Sequence, residues 1–106
     1  MDQDMIQVVV EFVTKPGQRG AVLAAFKANV PAVRAEKGCI AYAAFIDAPG
    51  FGAVAQRDGD DNFVVIEAWE SLSHLKAHAE APHMLEFVAK VNDLIVSRNI
   101  HVLTPA

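Results

Sequence analysis

Residues 63–84, FVVIEAWESLSHLKAHAEAPHM, pass from the pattern of a short apolar strand straight into that of a helix, and this junction restricts the fold more than any other segment. Side chains two apart in a strand point the same way, so Glu67 and Trp69 share a face with Val65, while Ile66 and Ala68 occupy the other. The helical sequence that follows brings His74, His78 and His83. An acid, an indole and several imidazoles are thus gathered at a strand-to-helix junction, where pockets often form. That is a candidate site before it is a function.

The flanking sequence supplies the rest of the architecture. Met5 to Val13 (MIQVVVEFV) is β-branched and strand-like, and Lys15-Pro16-Gly17 ends it with a turn signal. Ala21 to Glu36 carries Val22, Leu23, Phe26, Val30 and Val33 at helical spacing, with Pro31 predicting a kink or a split into two pieces. Cys39 to Asp47 reads as a second strand, Ala48 to Asn62 as a loop, and Phe63 to Trp69 as a third strand. Ser71 is placed to cap a helix reaching about Ala79, and Pro82 suits the first turn of another. Met84, Phe87, Val88, Val91, Leu94 and Ile95 continue that last helix as one apolar stripe, and Asn99 to Leu103 closes the chain as a strand.

The order β-α-β-β-α-α-β, with right-handed crossovers and antiparallel pairing, predicts an α+β, ferredoxin-like fold in one domain over 1–106. Its four-stranded antiparallel sheet has helices on one face. Strand one carries Val8 and Val10 on one side and Val9 and Val13 on the other, so the uncovered face is apolar too. Such a face is rarely left in water, which predicts a homodimer that buries it, a dimeric α/β barrel.

Composition narrows the partners. The chain has 106 residues, of which 53% are hydrophobic, and a net charge of −4. Nucleic acid and anionic membrane surfaces both call for clustered Lys and Arg, and the nine basic residues here are scattered. No apolar run has membrane-spanning length, and the MDQDM start has no basic n-region, so cytoplasmic residence is expected. Cys39 is the only cysteine, which rules out an intrachain disulfide or a cysteine-based zinc site. After a glycine and at the start of a strand, it reads as a small buried hydrophobe.

Glu67 shares its face with Val65 and Trp69, so partial desolvation would raise its pKa and make it a better acid or base near neutrality. A structural carboxylate paired with Arg34 or Arg57 is the competing reading. His78 and His83 flank the helix break, which lets two imidazoles converge above the sheet. His74 and His78 are spaced as a two-histidine metal site, but no HExxH or carboxylate triad accompanies them, so no metal is expected. Tyr42 on strand two can orient a carbonyl or hydroxyl, though a core or interface tyrosine is at least as common; Trp69 can stack on a flat ring, though core packing is the favoured reading for it in isolation. Phe45 lies on the other face from Tyr42. The loop bearing Phe51 and Arg57 could cover a pocket. The DGDD run at 58–61 reads as a solvated turn and not as a calcium loop. GxGxxG, Walker, GxSxG and CxxC motifs are all missing from the sequence.

Several segments, running in order over nearly the whole chain, carry a family likeness: KPGQ (15–18), RAEKGCIAY (34–42), VIEAWESLSHLKAH (65–78), APHM (81–84) and NIHVLTP (99–105). By these the chain resembles the antibiotic biosynthesis monooxygenase (ABM) superfamily, and within it the quinol monooxygenases of the YgiN type. The resemblance implies a dimeric ferredoxin-like protein that oxygenates a quinol or similar electron-rich aromatic with O₂, without metal, flavin or haem. On that reading Glu67 or His78 takes the proton, and Tyr42 and His83 hold the substrate oxygens. Trp69 with Phe45 or Phe51 flanks the ring, Asn62 offers a further polar contact, and Arg57 belongs to the loop over the substrate. Relatives with this fold include isomerases of small oxygenated metabolites, and a non-catalytic ligand-binding dimer is a third reading. Haem-degrading relatives use an Asn where strand one here carries Gln7, which argues against that activity.

Overall fold

The computed structural model describes residues 5–50 and 59–106. Its elements are β1 (Ile6–Thr14), α1 (Arg19–Arg34), β2 (Cys39–Phe45), β3 (Asn62–Trp69), α2 (Leu72–Glu80), α3 (Pro82–Val91) and β4 (Ile95–Leu103), with a single 3₁₀ turn over Asn92–Leu94. The strands form one antiparallel sheet in the order β2-β3-β1-β4. This is the ferredoxin-like arrangement that the order of elements predicts.

Strand parity sorts the side chains between the two faces. Val8, Val10, Phe63, Val65 and Trp69 are buried on the helix side, where Val22, Phe26 and Val33 of α1 and Phe87 and Val91 of α3 pack onto them. Phe26 stacks on Tyr42 at 4.9 Å between centroids and meets Phe87 edge-on at 6.3 Å. Burying these rings and branched aliphatics is the main force that closes the layer. The other face carries Val9, Ala43 and Ile66 side by side, with Ile66 37% exposed.

Four elements depart from the sequence-based expectation. Pro31 neither splits nor ends α1, which runs as one helix through Arg34. Its ring faces solvent, while Val33 beyond it is fully buried and holds the last turn against the core. The apolar stripe of α3 stops at Val91, and Leu94 and Ile95 do not continue it. The Leu94 carbonyl instead accepts the Lys15 N–H at 2.8 Å, and Ile95 pairs with Thr14 as the first residue of β4. That strand therefore begins well before Asn99, its polar Ser97-Arg98-Asn99 being held by backbone pairing to β1. β2 ends at Phe45, two residues short of Asp47.

Local signals place the helices around the site. Ser71 accepts the His74 N–H, capping α2. Ala81 then takes an extended conformation, and Pro82 opens α3 at a position that needs no N–H donor. Asp61, of the DGDD run, fastens the start of β3: its carboxylate accepts the Gly17 N–H, and its carbonyl accepts the Thr14 hydroxyl. No helix among the described residues is long and apolar enough to cross a membrane.

Candidate functional site

Glu67 stands in the middle of β3 on the helix side, in one cross-strand row with Tyr42 of β2 and Val8 of β1. It is 6% exposed. Burial among apolar neighbours pushes its carboxyl above the ordinary glutamate range, opposed by the Trp69 hydrogen bond and by the neighbouring His78. Trp69, two residues on and on the same face, donates its indole Nε1–H to Glu67 Oε1 at 2.9 Å. The indole is completely buried. It holds the carboxylate from behind and presents no open face for a ring to stack on.

His78 comes down onto this pair from the last turn of α2. Its ring lies 4.6 Å from the Trp69 ring and 5.6 Å from Tyr42. Its Nε2 is 3.9 Å from Glu67 Oε1, too far for a hydrogen bond and close enough for both groups to address one small ligand atom. The other nitrogen, Nδ1, lies 2.9 Å from Glu36 Oε2. His83 Nε2, from the first turn of α3, meets that same oxygen at 2.7 Å. Glu36 thus joins the ends of α1, α2 and α3 at one atom. Tyr42 is buried beneath, and desolvation with the nearby Glu67 and Glu36 charges pushes its phenol well above the ordinary tyrosine range, so it stays protonated.

Tyr42, Glu67 and His78 supply polar groups to a cavity of about 360 Å³ between the sheet and the helices. The rest of its wall is almost wholly apolar, including Phe26, Met84 and Phe87, with Arg98 of β4 contributing a cation. A small aromatic molecule fits a space of this size and character. β4 forms the outer wall: Ile100 and Val102 line the cavity yet remain 57% and 51% exposed, because no helix covers the last strand.

The other residues singled out from the sequence fall elsewhere. His83 reaches Glu36 and does not line the cavity. Phe45 is half-exposed on the open face of the sheet, and Asn62 sits at the far end of β3, its carbonyl accepting Arg19. Phe51 and Arg57 lie outside the described residues. Arg34 does not pair with Glu67; its guanidinium donates to the Tyr42 carbonyl. His74 bonds the Ser71 hydroxyl through Nδ1. Among the described residues no three of His, Cys, Asp and Glu are placed to hold a metal ion. The Cys39 thiol is pushed up chiefly by burial and then by the Glu36 and Glu67 charges, which leaves it protonated and a poor nucleophile.

Glu36 is the residue that sequence reasoning did not single out. It lies 42 positions from His78 and 47 from His83, so no local spacing links them. Its position just before the Lys37-Gly38 turn was the one available signal.

The fold agrees with a family comparison. Residues 5–90 match the model of the antibiotic biosynthesis monooxygenase family. The chain belongs to that family. It is 41% identical to the "Probable quinol monooxygenase YgiN" of Escherichia coli K12, over 95% of this chain and 98% of that protein. Among solved structures, Rv0793 from Mycobacterium tuberculosis superposes with a TM-score of 0.79 at 28% identity, covering 96% of this chain and 95% of that one. PA3566 from Pseudomonas aeruginosa gives a TM-score of 0.82 at 24% identity, covering 100% and 98%, a likeness of fold alone. The antibiotic biosynthesis monooxygenase match spans Glu36, Tyr42, Glu67, Trp69, His78 and His83, and stops short of Arg98, Ile100 and Val102 of the β4 wall.

Proposed function

We propose that this protein is a cofactor-independent monooxygenase that oxygenates a quinol or similar electron-rich aromatic with O₂, working as a homodimer through the open face of the sheet. The observation that carries the reading is the convergence of Glu67 and His78, both buried, on one apolar cavity. The kinship with a protein named as a quinol monooxygenase supports it.

The chemistry needs little from the protein. A base in the cavity takes a proton from the substrate hydroxyl, leaving its electron pair on oxygen. The resulting anion is electron-rich enough to reduce O₂, and a C–O bond forms at a ring carbon. Loss of the proton from that ring carbon, with cleavage of the O–O bond, leaves one oxygen in the product as a carbonyl; the other departs as water, carrying that proton and the one returned by the base. A hydroquinone plus O₂ thus gives a hydroxyquinone plus H₂O, the substrate supplying all four electrons. Tyr42, held protonated, donates to the oxygen on which charge develops, and the apolar wall keeps competing water out.

The test is O₂ uptake by the metal-stripped protein with a panel of freshly reduced quinols, corrected for autoxidation. Saturable uptake with a mono-oxygenated product by mass spectrometry is expected, and Glu67→Gln should cut turnover far more than it harms folding. Absence of uptake over the whole panel would overturn the reading in favour of an isomerase or a binding protein.

A further inference from the structure

The two imidazoles on one carboxylate oxygen have a consequence for which group acts as base. An ionised carboxylate can only accept hydrogen bonds, so His78 must present Nδ1–H to Glu36, and His83 must present Nε2–H. A neutral His78 then has its proton on Nδ1 and its lone pair on Nε2, the nitrogen that faces Glu67 and the cavity. Exposure falls along the chain of contacts, from 28% at the His83 side chain to 13% at Glu36 and 5% at His78. The carboxylate is therefore held in a largely dry setting, where its charge acts strongly on the ring beside it.

We propose that Glu36 is the positioning residue of the site: it fixes His78 in the Nδ1–H tautomer, aims Nε2 into the cavity, and offsets the positive charge that forms when His78 takes the substrate proton. This makes His78 the base and Glu67 its partner on the substrate. His83, by donating to the shared oxygen, holds Glu36 in register. The proton step balances simply. The substrate O–H breaks with its electrons left on oxygen, the proton goes to Nε2, and the imidazolium so formed donates from Nδ1 to Glu36. Besides Glu36, the titratable and charged groups facing His78 are Tyr42 of β2, held protonated, Glu67 of β3, and Arg98 of β4 across the cavity.

The inference rests on the reading of the cavity as a site of proton removal, so its test has an arm that needs no substrate. The ¹⁵N resonances of the histidine rings are followed against pH in the wild type, Glu36→Gln and Glu36→Asp. In the wild type, His78 is expected with Nδ1 protonated and Nε2 unprotonated once its ring is neutral. Glu36→Gln should lower the pH at which the ring titrates and mix the tautomers; Glu36→Asp should keep the wild-type tautomer. In turnover, Glu36→Gln should lower kcat about 10- to 100-fold, with KM changed little and the acid limb of the pH profile moved down. Finding His78 as the Nε2–H tautomer in the wild type would overturn the proposal. So would an unchanged titration and pH profile in Glu36→Gln. If no quinol is oxidised, the resonances still decide the role of Glu36, and only the functional reading fails.

Discussion

Replacing Trp69 with phenylalanine separates the two things the indole does. It fills a site with no solvent exposure, and its Nε1–H supports the Glu67 carboxylate at 2.9 Å. The smaller ring leaves a void costing about 1–2 kcal/mol, scaled from the about 3–5 kcal/mol of removing a whole buried aromatic. Loss of the hydrogen bond costs about 1.5–3 kcal/mol when Glu67 is ionised and about 0.5–1.5 when it is neutral. The Glu67 pKa is already raised by burial, and the Trp69 bond is the first of the influences that lower it, so Trp69→Phe raises it further.

An acid whose folded pKa lies above its unfolded value leaves the protein most stable while protonated. That stability is lost as pH rises from the unfolded pKa through the folded one. The variant should therefore be destabilised by about 1.5–3.5 kcal/mol in mildly acidic buffer and about 2.5–5 in mildly alkaline buffer. Urea unfolding at the two pH values, at fixed protein concentration, reads the difference. In a Glu67→Gln background the same substitution should cost the same at both. If Trp69→Phe is equally destabilising across pH with Glu67 present, the indole is only packing and the account of the carboxylate is wrong.

Two further substitutions test the scaffold. Gly38 has φ +85°, and a Cβ there would collide with Cβ, Cγ and Cδ2 of His74. Gly38→Ala should cost about 2–5 kcal/mol, combining about 1–2 for the left-handed backbone with about 1–3 for overpacking, and a loss below about 1 kcal/mol by urea unfolding would refute this. Ile66 lies between Ala43 and Val9 on the open face of the sheet, so Ile66→Asp should convert a dimer to a monomer. Sedimentation of the wild type as a monomer, or of the variant as a dimer, would remove that face as the interface.

Much of the fold was legible because local pattern and tertiary role agree. Glu67, Trp69 and Val65 share a face by strand parity alone, and Ser71 and Pro82 mark real helix starts. Parity also separates Phe45 from Tyr42, which is why only Tyr42 reaches the cavity. Pattern misled where pairing outweighed it. Leu94 and Ile95 continue a helical stripe on paper, yet the edge of β1 takes their backbone. Pro31 signals a break, yet α1 runs through it because Val33 anchors the last turn. Glu36 was out of reach for a different reason: its meaning depends on three helix ends meeting, which no short window contains.

The break at Ala81 and Pro82 decides more than where one helix stops. Five residues along an unbroken α-helix turn through about 500°, which would point His78 and His83 about 140° apart. No single carboxylate oxygen could then receive both rings. The extended Ala81 resets the helical phase between them, so a single proline signal brings both imidazoles onto Glu36. A uniform helix through this segment could keep every site residue and the whole apolar stripe, and still dismantle the charge network on which the cavity's imidazole depends.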